Sequence, residues 1–136
     1  MTEDSFDILQ PKHWALPKGY ANGIAARGRQ VFIAGQIGWD AHGALVSGDF
    51  VAQVEQALSN IVAVLAEAGG EPRHIARMTW YLTDKAEYLA RQKEIGAAYR
   101  RIIGRNFPAM TAVVVAGLLE TGAKVEIEAT AVIPSR

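Results

Sequence analysis

The chain is 136 residues long, with fourteen basic side chains balanced by fourteen acidic ones, half its residues hydrophobic and no cysteine. That length suits one domain, 1–136, with enough apolar material for a core, and it excludes disorder as a description of the whole. Zero net charge argues against a protein built around phosphate backbones, and the missing thiols exclude disulfides, Cys-ligated metals and cysteine nucleophiles.

Met1–Ser5 is acidic and polar, with neither the positive region nor the apolar stretch of a secretory signal. No apolar run approaches the roughly 20 residues of a membrane span. The expectation is a cytoplasmic protein without a membrane partner. A strand around Phe6–Leu9 is possible, and Ala21–Arg27 and Gln30–Ala34 read as two further strands close enough for a hairpin. Glycines at 35, 38, 43 and 48 mark the next stretch as loop.

Asp49 is a good N-cap, and Val51, Val54, Leu58, Ile61 and Leu65 then recur at helical spacing up to Gly69-Gly70. Ala76–Leu82 alternates, with Met78, Trp80 and Leu82 on one face and Thr79 and Tyr81 on the other. Asp84 and Glu87 form an Asx capping box for a second helix, whose stripe is Tyr88, Ile95, Tyr99 and Ile102 and whose stop is Gly104. Gly96 inside it costs about 1 kcal/mol relative to Ala and hints at close packing.

Ala112–Ala116 is an apolar run too short for a helix, read as a buried strand. Lys124–Val132 alternates again, with Val125, Ile127, Ala129 and Ala131 opposite Glu126, Glu128 and Thr130. The order β-β-α-β-α-β-β, with two helices on one mixed sheet, makes an α+β sandwich. Two helices cover one sheet face only, so a homo-oligomer is expected to bury the other.

Glu126 and Glu128 are two residues apart in a strand, hence on one side and about 7 Å apart. They read either as a candidate acid/base pair or as a solvated face. His13, His42 and His74 have no metal-ligand spacing; His42 and His74 read as surface groups and Trp14 as a packing residue. No nucleophile elbow, P-loop or dinucleotide fingerprint is present. Arg91, Lys93, Arg100, Arg101 and Arg105 form a basic cluster, either a ligand or RNA surface or a solvated helix face offset by Glu87 against Arg91.

Several segments resemble the Rid family (RidA/YjgF enamine/imine deaminases, formerly described as endoribonucleases). These are Phe32-Ile33-Ala34-Gly35-Gln36-Ile37, the helix start Gly48-Asp49-Phe50-Val51-Ala52-Gln53, Tyr81-Leu82-Thr83-Asp84, Asn106-Phe107-Pro108-Ala109 and Val125-Glu126-Ile127-Glu128-Ala129. Their order and spacing span more than a hundred residues. The resemblance implies a chorismate-mutase-like fold and a homotrimer with a central barrel and clefts between subunits. It also implies hydrolysis of reactive enamines or imines without metal or organic cofactor; zero net charge and the lack of an aromatic stacking platform argue against a nucleic-acid partner.

By position, the resemblance assigns Glu126 to activating or orienting water, with the Ala112 main-chain carbonyl helping to hold it. Tyr20 matches the family's cleft tyrosine, and Ala34, Gly35 and Gln36 its ligand-bordering backbone. Thr111 joins the substrate-binding positions beside Met110. Met110 is the departure: the family's active deaminases have an arginine there, which grips the substrate carboxylate bidentately. Methionine offers no donor, a loss of several kcal/mol or about a thousandfold in affinity for an ordinary α-imino acid. Trp39 stands where the family has smaller residues, so Met110 and Trp39 together imply a more apolar pocket if both line it. A non-catalytic metabolite-binding trimer and an RNA-cleaving translation inhibitor are the alternatives.

Overall fold

Alternation along the last strand sets the architecture. In the computed structural model, which describes residues 6–134, β6 (Val125–Ile133) buries Val125, Ile127, Ala129 and Ala131 and leaves Glu126, Glu128 and Thr130 half-buried on the other side. Met1–Ser5, read above as lacking a signal, lie outside the described residues. Strand β6 is internal to a four-stranded sheet, between β3 (Arg29–Gln36) and β4 (Ile75–Leu82), with β5 (Ala109–Val114) beyond β4. Both pairings of β6 are antiparallel and β4–β5 is parallel, so the sheet is mixed.

Three helices pack on one face: α1 (Phe50–Glu67), α2 (Lys85–Ala90) and α3 (Gln92–Ile102). The apolar stripe of α1 buries as its spacing predicts, and Leu58, Ile61 and Leu65 are wholly inaccessible, each worth about 2 kcal/mol. Asp49 caps α1 by accepting from the Ala52 N–H at 3.0 Å. Met78, Trp80 and Leu82 from β4 and Ile95 and Tyr99 from α3 complete the core. The α+β class with helices on one sheet face is therefore as read from the sequence.

Local details differ. The expected hairpin does not form, because a short N-terminal strand, β1 (Asp7–Leu9), takes the ladder of β2 (Gly23–Ala25) in a separate two-stranded sheet. Just before β2, Ala21 bridges to Ala109 at the start of β5. The expected single second helix is two, broken at Arg91, whose N–H is shared between the Glu87 and Tyr88 carbonyls at 3.1 and 3.3 Å.

The apolar run near 112 is a strand starting three residues earlier, but it is exposed rather than buried, because β5 is the edge of the sheet. His74 is buried, not a surface group: it closes a 3₁₀ turn in which its Nδ1 accepts from the Glu71 N–H at 2.9 Å. Trp14 is 61% exposed, so in this chain it packs little.

The sheet face away from the helices is more polar than expected. Register places Arg77, Thr79 and Tyr81 of β4 there beside Glu126, Glu128 and Thr130 of β6. Phe32 on edge strand β3 adds an apolar group 75% exposed.

Candidate functional site

Glu126 sits on that open face, directly across from Tyr81. The neighbouring strand is irregular here, its register shifting between Ile33 and Gln36. At Gly35 the main chain comes so close to the Glu126 carboxylate that any β-carbon would collide with it. A larger residue at 35 would have to displace the Glu126 side chain from this position. Gly35 is thus brought to Glu126, and Gln36 pairs with Ile127 on the same strand as Glu126.

The loop after Gly35 is fixed by side chains. Gln36 donates to the Ala34 carbonyl at 3.2 Å and accepts from Trp39 Nε1 at 3.1 Å. Asn60 on α1 donates to the Trp39 and Ile37 carbonyls at 2.9 and 3.3 Å. On the other side, Gln53 is wholly buried and clamps the approach to β6. Its Nε2 donates to the Ser47 and Gly122 carbonyls at 2.9 and 3.0 Å, and its Oε1 accepts from the Lys124 N–H at 2.8 Å. Sequence reasoning missed both amides; a polar residue among the buried positions of α1 was the available signal for Gln53.

The two glutamates are not equivalent. Tyr81 Oη donates to Glu128 Oε1 at 2.6 Å, a charge-assisted bond that raises the Tyr81 pKa above its ordinary value. Glu128 is thereby occupied. Glu126 makes no ion pair or hydrogen bond among the described residues.

Met110 lies elsewhere. It pairs with Met78, which pairs with Ala129 on the helix side, whereas Glu126 pairs with Tyr81 on the open side. Strand parity therefore puts Met110 and Glu126 on opposite faces of one sheet. Met110 borders a cavity of about 410 Å³ between the helices and β4–β5, walled by Trp80, Tyr88, Tyr99 and Phe107. Tyr99 and Phe107 stack at 5.8 Å between ring centroids, and Tyr99 Oη donates to the Asn106 carbonyl at 2.6 Å. Burial pushes the Tyr99 phenol up. The Trp80 indole N–H is buried and has no acceptor among the described residues.

The Ala21 N–H donates to the Pro108 carbonyl at 2.9 Å, and Lys18 and Gly19 border the Met110 cavity, but Tyr20 is 40% exposed and does not border that cavity. Trp39 does not border it. Thr111 pairs with Thr79, and Ala112 with Trp80, on an edge strand whose outer side, past the Ala21 bridge, has no pairing strand among the described residues. Arg105 is exposed and does not border the cavity.

The basic cluster is partly neutralised. Arg91 pairs with Glu94 at 2.7 Å and Asp49 at 3.2 Å, and Arg101 with Glu55 at 2.9 Å. Glu87 turns to Lys124 at 3.3 Å instead of offsetting Arg91. Among the described residues, no cluster of three or more His, Asp or Glu side chains could hold a metal ion, and no helix is long and apolar enough to cross a membrane.

A mixed sheet with helices on one face, a glycine-backed glutamate on the other and an aromatic cavity beside its edge strand make this an α+β domain with two separate candidate groups. A family model described as endoribonuclease L-PSP matches residues 14–133, and the chain belongs to that family, also known as the YjgF/Rid family. Protein DfrA of Myxococcus xanthus is 38% identical over 109 residues, 77% of this chain and 77% of that protein. The 2-iminobutanoate/2-iminopropanoate deaminase of Capra hircus is 38% identical over 105 residues, covering 76% and 73%. Among solved structures, the Rid-family protein YyfB of Yersinia pestis, of unknown function, superposes with a TM-score of 0.80 at 32% identity, covering 94% of this chain and 98% of that one.

Proposed function

We propose that this chain hydrolyses a reactive enamine or imine to a carbonyl compound and ammonia, without metal or organic cofactor, as a cytoplasmic homotrimer with clefts between subunits. The observation that carries the reading is the Glu126 carboxylate, held against the Gly35 main chain and unoccupied by any protein donor among the described residues. In the mechanism, Glu126 orients a water and takes its proton as the oxygen attacks the C=N carbon. Glu126 passes that proton to the nitrogen to give a carbinolamine, then carries the carbinolamine hydroxyl proton to the same nitrogen, so that the C–N bond breaks, ammonia leaves and C=O forms. The Ala112 carbonyl, on an uncovered strand edge, is suited to accept a hydrogen bond from the same water.

The opposite placement of Glu126 and Met110 fits a cleft to which two chains contribute. One supplies Glu126, Ala34, Gly35 and Gln36, and the next supplies the β5 edge with Tyr20, Met110 and Thr111. Similarity to the Capra hircus deaminase supports the reaction class. Met110 argues that the substrate is not an ordinary α-imino acid.

Met110 also favours a second reading, a trimer that binds a metabolite without converting it. An RNA-cleaving role has less support, because acidic partners already hold Arg91 and Arg101. The test is ammonia release from a panel of freshly generated imines that differ in side chain and carboxylate position. Acceleration of at least one above its spontaneous decay supports the hydrolase. Ligand-induced thermal stabilisation with no acceleration of any imine selects the binder.

A further inference from the structure

The cavity beside Met110 has a charge pattern that the family position alone does not explain. Its walls are mostly aromatic or apolar, with Gln92 as a neutral polar side chain, no carboxylate among the described residues that border it, and two cations, Lys18 and Arg100. Two other arginines of this region are engaged, Arg91 with Glu94 and Asp49 and Arg101 with Glu55, and Arg105 does not border the cavity. Arg100 makes no ion pair or hydrogen bond among the described residues.

Gly96 helps explain where the Arg100 guanidinium lies. The two residues are one helical turn apart on α3, and a long side chain leans back over the preceding turn. A β-carbon on Gly96 would meet Arg100 Nη1 at 3.3 Å, so the guanidinium rests over the glycine, and both border the cavity. The sequence reading took Gly96 as a sign of close helix packing. Instead, the nearest group to a side chain there would be this cation.

We propose that the cavity binds an amphipathic carboxylate, its aromatic body lodged against Trp80, Tyr88, Tyr99 and Met110 and its carboxylate held by Arg100. This deepens the reading of the chain as an imine hydrolase and rests on it for the identity of the substrate, an imine of an aromatic carboxylic acid. Arg100 then performs from α3 the anion binding that methionine cannot perform at position 110, and Met110 supplies apolar contact. A volume of about 410 Å³ is ample for one phenyl ring with a short acid chain and lies within the usual range for small-molecule sites.

Isothermal titration with 3-phenylpropionate and its neutral isostere 3-phenylpropanamide tests the proposal on the full chain, because binding can be read without turnover. Wild type is expected to bind the acid at least tenfold more tightly than the amide. Arg100→Gln should lose about tenfold for the acid only, Arg100→Lys should recover part of it, and Arg101→Gln should change neither ligand.

Equal affinity of wild type for acid and amide, no binding of either, or an Arg100→Gln variant that binds the acid like wild type overturns the proposal. The two levels separate cleanly. Arg100-dependent binding without ammonia release from any imine leaves the subsite standing and removes the hydrolase. Ammonia release with binding indifferent to Arg100 does the reverse.

Discussion

The open-face group around Glu126 and the helix-side cavity around Met110 are built from different materials. The first is main chain and amides: Gly35 against a carboxylate, Gln36 on Trp39, Asn60 and Gln53 on carbonyls. The second is rings and a thioether, with a guanidinium resting over a glycine. A site fixed by backbone position tolerates few changes and suits a step that needs one carboxylate and one water. A cavity walled by side chains can be re-cut by single substitutions, so reaction and substrate choice can change separately. The Met110 departure falls on the side where change is tolerated.

The sharpest way to break that division is to remove the carboxylate. Glu126→Gln keeps shape and removes the base, so ammonia release should fall by about 10²–10⁴ while 3-phenylpropionate affinity stays within twofold. Steady-state ammonia assays beside titration calorimetry measure both. Unchanged turnover would falsify the mechanism.

The next effect is on stability. Gln53→Ala leaves two carbonyls and one N–H without their buried partner, a loss of about 3 kcal/mol and a fall in Tm of about 10 °C. Differential scanning calorimetry checks it. A shift under 2 °C would mean that the clamp does not hold the start of β6.

What could be read beforehand follows the same division. Alternation in 125–132 and the α1 stripe are local signals, and they placed the sheet, its covered face and Glu126 correctly. The break at Arg91 was hidden because the apolar stripe runs on through it, while one of the two carboxylates that meet its guanidinium, Asp49, is 42 residues away. The exposure of β5 was hidden for a related reason: an apolar run records composition, whereas edge position is decided by which strands pair. The cavity was the least legible part, since Trp80, Tyr88 and Tyr99 each look like core residues one at a time. Their enclosure of a hollow with Arg100 depends on how α3 crosses β4 and β5.

On the cavity side, Met110→Arg restores a bidentate donor at the edge strand. Hydrolysis of 2-iminopropionate should rise by about tenfold in kcat/KM, and 3-phenylpropionate binding should weaken because the charged side chain fills apolar space. A gain for the small imino acid with no loss for the aromatic acid would show that the two ligands do not share the cavity. That outcome would join Met110 to the Glu126 group instead.

The smallest expected effect concerns the bond that keeps the two glutamates distinct. Tyr81→Phe removes the donor to Glu128 and should lower Tm slightly at pH 7. The sign with pH follows from the phenol, whose pKa the Glu128 hydrogen bond raises in the folded chain. Stability from a raised pKa is fully present below the unfolded value near 10 and is lost as pH climbs through the folded value. The Tm gap between wild type and Tyr81→Phe should therefore be widest near neutrality and close above pH 10. Tyr99, which burial also pushes up, titrates in both proteins and cancels from the difference. A gap that stays constant from pH 7 to 11 would mean that Tyr81 packs on the open face without holding Glu128, and that Glu126 has a second free carboxylate beside it.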